Sequence, residues 1–143
     1  MADHAHDRRA DRDGRADGPA QQVLTGFGRE DTHELPNSLT WGPDGWLYGL
    51  NGVFNNCHVR YGQDNTFLAA SDKEKHPGWK INCAMFRIHP RTREFQVFCE
   101  GTSNPWGVAW DREGSAFISA CVIEPMPPRA KPQAPMLPST SPM

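Results

Sequence analysis

The sequence predicts an all-β protein built from short antiparallel hairpins, and three observations carry that expectation. Strand-like runs of four to seven residues alternate with turn signals from residue 21 onward. Pro and Gly, 13 of each in 143 residues, supply those turns, and no segment shows sustained helical periodicity. Most telling, "LPNSLTWGPDGWLYGLNG" (35–52) and "SNPWGVAWDREGSAFISA" (103–120) run through the same pattern of rings, turn and alternation.

The strands follow in order. "QQVLTGF" (21–27) is the first. "SLTWG" (38–42) and "WLYGL" (46–50) flank Pro43-Asp44-Gly45, where Pro presets φ and Gly accepts a positive φ. "CAMFRIH" (83–89) and "EFQVFCE" (94–100) flank the tight turn "PRTR", and "WGVAWD" (106–111) and "SAFISACV" (115–122) flank "REG". This is a meander of antiparallel hairpins.

The two copies align residue by residue. Leu39, Trp41, Gly45 and Tyr48 match Val108, Trp110, Gly114 and Phe117. Each copy follows an outer-strand pattern, "VLTGF" or "FQVFCEG", and a loop with Pro-Asn or Asn-Pro. The repeat unit is thus a four-stranded sheet, the unit of a β-propeller. The sequence predicts a partial β-propeller: one complete four-stranded antiparallel blade (38–100) plus parts of two neighbours, within an ordered region 21–124. Because blades bury their faces against each other, such a set reads as a fragment or as a chain that pairs with other copies. Large rings at Trp41, Trp46, Tyr48, Phe86, Phe98, Trp106, Trp110 and Phe117 are expected between blades, many of them facing water, beside an unpaired edge at Ser115–Cys121.

The flanks differ in composition. Residues 1–20 are polar and charged and are expected to be disordered. Residues 125–143 hold seven of the 13 prolines and are expected to form an extended, disordered tail without helix or central strand.

Composition excludes several function classes. A net charge of −2 gives no electrostatic footprint for nucleic acid. No apolar run approaches the ~20 residues of a transmembrane segment, and the charged start "MADHAHDRRADRDGRAD" has no signal-peptide core. Cys57, Cys83, Cys99 and Cys121 form no C-x-x-C pair and read as buried or half-buried thiols. Cys57-His58 resembles the end of a haem-attachment motif, but position 54 is Phe, so no haem motif is present. "DRDGRAD" (11–17) has the carboxylate spacing of a calcium loop but lacks the downstream bidentate Glu, so calcium is not expected and no metal site is assigned.

Connections in an antiparallel blade alternate between its two ends. The short turns "GPDG" and "PRTR" lie at one end. The long polar segments 27–37, 51–82 and 101–105 converge on the other, where function is expected. His33, Glu34, Asn37, Asn51, Asn55, Asn56, His58, Ser103 and Asn104 are therefore expected on one rim, with Asp44, Arg91 and Glu113 opposite. For each Asn the alternative is a loop-fixing hydrogen bond. His76 and His89 read as ordinary loop and turn residues.

At "EDTHELPNSLTWGPDGWLYGLNGVF" and "CAMFRIHPRTREFQVFCEGTSNPWGVAWDREGSAFISACVIE" the chain resembles the PVC-type membrane-bound dehydrogenases, over residues 11–124. The resemblance implies a parent exported to the periplasm or membrane, with further blades, helical repeats and a haem module. Its wider relatives are quinoprotein glucose and sorbosone dehydrogenases, propellers that bind pyrroloquinoline quinone. In them a rim histidine before an inner-strand "GPDG" hairpin is the general base on a sugar hydroxyl. The resemblance implies His33 as catalytic base, one residue further from the turn, and Asn104 as a cofactor-binding residue; Asn37 and Asn51, on the same rim, are also expected to bind cofactor. An Arg-Asn-Pro-x-Gly segment contacts the quinone in those relatives; here it reads Ser103-Asn104-Pro105-Trp106-Gly107. The guanidinium that would stabilise charge as hydride arrives is missing. The expected function is a fragment of a sugar- or polyol-oxidising propeller, itself inactive alone. The alternative is a non-catalytic segment that binds carbohydrate or protein through the same rim.

Overall fold

Residues 4–7, 15, 18–33, 35–65, 68, 70–73, 75–101, 103–121 and 129–130 are described by the structure, a computed structural model. Eleven strands and one helical turn appear in the order β1 (His4–Asp7), β2 (Gln21–Thr25), β3 (Asn37–Trp41), β4 (Leu47–Asn51), β5 (Cys57–Tyr61), α1 (Ala70–Lys73), β6 (Trp79–Ile81), β7 (Ala84–Ile88), β8 (Phe95–Glu100), β9 (Pro105–Trp110), β10 (Ala116–Ala120) and β11 (Arg129–Ala130). They form three antiparallel sheets, ordered β1-β2-β5-β6, β10-β9 and β11-β8-β7-β4-β3. The fold is an all-β partial propeller. Strands β3, β4, β7 and β8 are the complete blade, and the other sheets are parts of its two neighbours.

The two faces of that blade alternate along β4 and β7, as the pleat requires, and β8 changes face at a bulge beyond Val97. Tyr48, Leu50, Met85 and Cys99 point one way and pack with Trp46, Phe98, Val108, Trp110, Ala116 and Ile118 against the β9–β10 hairpin. Ala84, Phe86, Ile88 and Phe95 point the other way, onto Val23, Leu24, Phe27, Val59, Tyr61 and Ile81 of the β1-β2-β5-β6 sheet. Gly49 stands opposite Phe86 in the β4–β7 ladder. A Cβ there would lie 2.5 Å from the Phe86 ring, so the missing side chain is what admits the ring. Gly26 (φ 87°) is a second such place, since a Cβ would lie 2.1 Å from the carbonyl oxygen of His58.

The structure corrects the sequence reading at three places. Segment 51–82 is not merely a rim loop: it holds β5, β6 and the turn α1. "CHVRY" alternates Cys57, Val59 and Tyr61 inward with His58 and Arg60 outward, and β5 pairs with β2 through Leu24↔Tyr61 and Thr25↔Arg60. Within the N-terminal segment expected to be disordered, His4–Asp7 pairs with β2. In the Pro-rich tail, Arg129 and Ala130 pair with Glu100 and Cys99 of β8. Both are edge strands, which need only free backbone groups beside an open ladder. Arg129 and Ala130 offer them because neither is a proline. The rest of 125–143, and most of 1–20 with the calcium-loop candidate except Arg15, lie outside the described residues.

Cys57, Cys83 and Cys99 are buried and Cys121 is exposed. Burial pushes the Cys99 thiol up, away from the reactive thiolate.

Both tyrosines are buried in the packing. Burial raises Tyr48 and Tyr61 from 10.0 to about 12. A folded value above the unfolded one gives stability that is complete below pH 10 and lost as pH rises toward about 12. Two pH units correspond to about 2.7 kcal/mol per tyrosine. The urea midpoint should therefore hold constant up to about pH 9 and fall steeply above about pH 10. Tyrosinate absorbance appearing in folded protein at the ordinary phenol value would contradict this.

Candidate functional site

The two ends of the sheets are fixed by direct contacts. At one end Asn37 Nδ2 donates to the carbonyl of Pro105, 3.2 Å away, joining the starts of the two inner strands β3 and β9. At the other, a Cβ on Gly114 would sit 3.5 Å from Pro43, and Trp46 stacks edge-on against His89 at 4.9 Å. His33, Asn37 and Asn104 therefore share an end, and Asp44, Arg91 and Glu113 lie at the opposite one.

His33 sits in the connection from β2 to β3, on a local turn that its neighbours hold. The Asp31 carboxylate accepts from the backbone N–H of His33 at 2.9 Å and meets His33 Nδ1 at 3.1 Å. The backbone bond holds the Asp31 carboxyl below its ordinary value. Asp31 is in turn clamped by Asn55, which is wholly buried. Asn55 Oδ1 accepts from the Asp31 N–H at 3.1 Å, and Asn55 Nδ2 donates to the Asp31 carbonyl at 3.0 Å. A buried amide thus orients a carboxylate, and the carboxylate orients an imidazole whose side chain is 89% exposed. Asp31 is a rim candidate that the sequence reading did not include. Its signal was the Asp-x-His spacing, in which Asp bonds the backbone two residues on.

The amides behave differently from one another. Asn37 Nδ2 also donates to Leu35 O at 3.1 Å, and its Oδ1 accepts from Ser38 Oγ at 2.8 Å, so it ties the rim together. Asn51 is buried completely: its Oδ1 accepts from Ala84 N–H at 3.2 Å, while Nδ2 reaches Gly52 O and Cys57 Sγ. Its side-chain amide is engaged within the fold at both ends. Asn104 is the reverse case. Its backbone carbonyl accepts from Cys121 N–H, but its buried side-chain Oδ1 has no partner among the described residues. Ser103 accepts through its carbonyl from Cys83 Sγ at 2.8 Å. Ser38 (φ 54°) and Cys83 (φ 52°) hold left-handed backbone at this rim, a strain that the surrounding bonds sustain. Glu34 lies outside the described residues.

Of the rim residues expected to bind cofactor, Asn104 alone keeps a buried acceptor without a partner among the described residues. Asn51 is closed, Asn37 is spent on Pro105 and Ser38, and Ser103 replaces the arginine. This set does not form a quinone cradle. Among the described residues no three His, Cys, Asp or Glu side chains converge to hold a metal ion. No helix among them is long and apolar enough to cross a membrane.

If Asn51 is scaffold, Asn51→Ala should cost about 2–4 kcal/mol, because it strands the buried Ala84 N–H and opens a cavity. Urea denaturation measures this. An unchanged midpoint would return Asn51 to a ligand-binding role.

The comparisons with known proteins add one family. No curated protein and no solved structure matches the chain. The family described as "Domain of unknown function (DUF7133)" matches residues 3–131, which take in every strand of the complete blade and both partial neighbours. The chain belongs to the DUF7133 family.

Proposed function

We propose that the chain is a section of a dehydrogenase-like propeller whose parent oxidises a sugar or polyol hydroxyl, with His33 as general base. The observation that carries this reading is the Asn55–Asp31–His33 succession. With Asp31 Oδ1 accepting from Nδ1–H, the Nε2 lone pair of His33 is left available on a side chain that is 89% exposed. There it takes a hydroxyl proton, and the Asp31 carboxylate stabilises the imidazolium that forms. The substrate class follows from the resemblance to sugar dehydrogenases, as do the exported parent, its further blades and its haem module. Pyrroloquinoline quinone is the acceptor that resemblance implies. The residues present do not complete its site, so His33 is assigned proton transfer alone.

A second reading has its own support. Ser103 in place of arginine, and the closed amides of Asn37 and Asn51, favour a non-catalytic rim that binds carbohydrate or protein. One experiment separates the two. The full-length parent is given a panel of sugars and polyols with an artificial electron acceptor, with and without added pyrroloquinoline quinone. Acceptor reduction supports the enzyme. A well-folded parent that binds saccharide by calorimetry and reduces nothing supports the binding segment.

A further inference from the structure

We propose that the 143-residue chain, taken by itself without the further blades of the parent proposed above, associates head to tail with a second copy of itself, the β9–β10 half blade of one copy joining the β1–β2 half blade of the next. The reasoning starts from which strands each partial blade holds. In the complete blade β8 is the fourth strand, and it leads through the rim into β9, the first strand of the following sheet. Strand β2 leads in the same way into β3, so it is the fourth strand of the preceding blade. The sheet containing it lies with its β6 end close to β8, the outer side of the complete blade. Its β1 end therefore points inward, and β1 takes the third position. One partial blade thus has its third and fourth strands, and the other, β9–β10, has its first and second. Among the described residues β10 pairs with β9 alone and β1 with β2 alone, which leaves one open ladder on each. Their directions suit an antiparallel pair, since β10 runs toward the rim and β1 away from it.

The side chains make the same match independently. Leu39 and Trp41 on β3 are 63% and 60% exposed, and Phe117 on β10 is 61% exposed. Leu39 lies on the Phe86 face of the complete blade, because a Cβ on Gly49 would meet both the Phe86 ring and Leu39 Cδ2. That face is covered over the outer strands and bare over β3. Phe117 lies between Ala116 and Ile118, which pack inward, so its ring points to the outer face of the hairpin. The contact within the chain shows how such faces meet. Tyr48 packs on Trp110 with ring centroids 4.7 Å apart. The repeat equates Tyr48 with Phe117 and Trp110 with Trp41. Phe117 of one copy and Trp41 of the next are the same aromatic pair, each ring lacking its partner. The open edges and the exposed rings call for the same placement of the second copy. The interface is heterologous, so association extends beyond a dimer until a ring closes.

The test uses the 143-residue chain with two single variants, Trp41→Asp and Phe117→Asp. Both side chains are largely in water, so each variant should keep the parent's near-ultraviolet circular dichroism and urea midpoint. Leu39→Lys replaces Trp41→Asp if the latter does not. Light scattering after size exclusion should show the unmodified chain growing with concentration. Each variant alone should remain monomeric, its self-association weakened at least about 100-fold. A 1:1 mixture should form a heterodimer and stop there, because one intact face of each kind remains. The proposal is overturned if the mixture stays monomeric. It is equally overturned if either variant still self-associates, as isologous pairing of two β10 edges would allow, or if the unmodified chain is a monomer throughout.

Discussion

Arg87→Ala is expected to destabilise the fold by about 3–5 kcal/mol, the cost of breaking a buried charge network from one side. Arg87 is the third-strand residue opposite Tyr48 in the β4–β7 ladder, and its side chain is only 8% exposed. Its Nη1 donates to Asp44 Oδ2 at 3.0 Å and lies 3.2 Å from the Tyr48 hydroxyl, while Nε and Nη2 both donate to Gln96 Oε1. The guanidinium also lies 4.3 Å from the Trp46 ring centroid and 5.6 Å from that of Phe98. Alanine removes all of these and leaves a hole beneath two aromatic rings. The Asp44 carboxylate is 37% exposed, so solvent takes over part of its pairing. The larger losses are the Gln96 and Tyr48 partners and the ring contacts. Arg87→Met keeps the stem and should recover about half of the deficit through packing alone. Urea denaturation in the Phe117→Asp background separates folding from association. A loss below about 1 kcal/mol would show that the guanidinium contributes no more than a surface ion pair.

How much of this was legible beforehand divides along physical lines. The complete blade was, because its strands lie between short turns whose Pro and Gly declare themselves, and because the 35–52 pattern recurs at 103–120. The expected spans 38–42, 46–50, 83–89 and 94–100 lie within a residue of the strands formed, Asn37–Trp41, Leu47–Asn51, Ala84–Ile88 and Phe95–Glu100. The β5–β6 hairpin was missed although "CHVRY" alternates cleanly. Its flanks, "NGVFNN" and "QDNTFLAASDKEKHPG", are so polar that they outweighed five residues of pattern. Strands β1 and β11 have no apolar signature to find, since an edge strand is held by backbone bonds supplied by its neighbour.

The rim shows the same division. Alternation of antiparallel connections placed His33, Asn37 and Asn104 together without any contact being known. Which amide serves the scaffold and which faces outward was not readable, because Asn51, Asn55 and Asn104 are the same residue type beside similar turns. Their roles depend on the partner that each meets: Ala84 for Asn51, Asp31 for Asn55, and none among the described residues for the Asn104 oxygen. The exposed rings divide likewise. Trp41 and Phe117 face water as expected, whereas Tyr48 and Phe86 are buried, because the half blade on one side and the β5–β6 hairpin on the other cover them.

On the proposed reading, His33→Ala in the full-length parent is expected to lower the turnover of sugar or polyol by about 10²–10⁴, the usual yield of a general base. The loss should fall on kcat more than on KM, because proton abstraction belongs to the transition state. Asp31→Asn tests the orientation. It keeps an oxygen for the backbone N–H of His33 but removes the charge that steadies the imidazolium, so its rate should lie between those of the parent and His33→Ala. Asn55→Ala acts one step further back. It releases both backbone groups of Asp31, and with them the turn that carries His33, so it should lower stability by about 1–3 kcal/mol as well as rate. The order of the three rates is the useful measurement, because a merely structural turn would make Asn55→Ala the most damaging and leave His33→Ala nearly silent. A parent that turns over substrate equally well with alanine at position 33 would remove the base from this rim. The same succession would then serve only to hold a loop for binding.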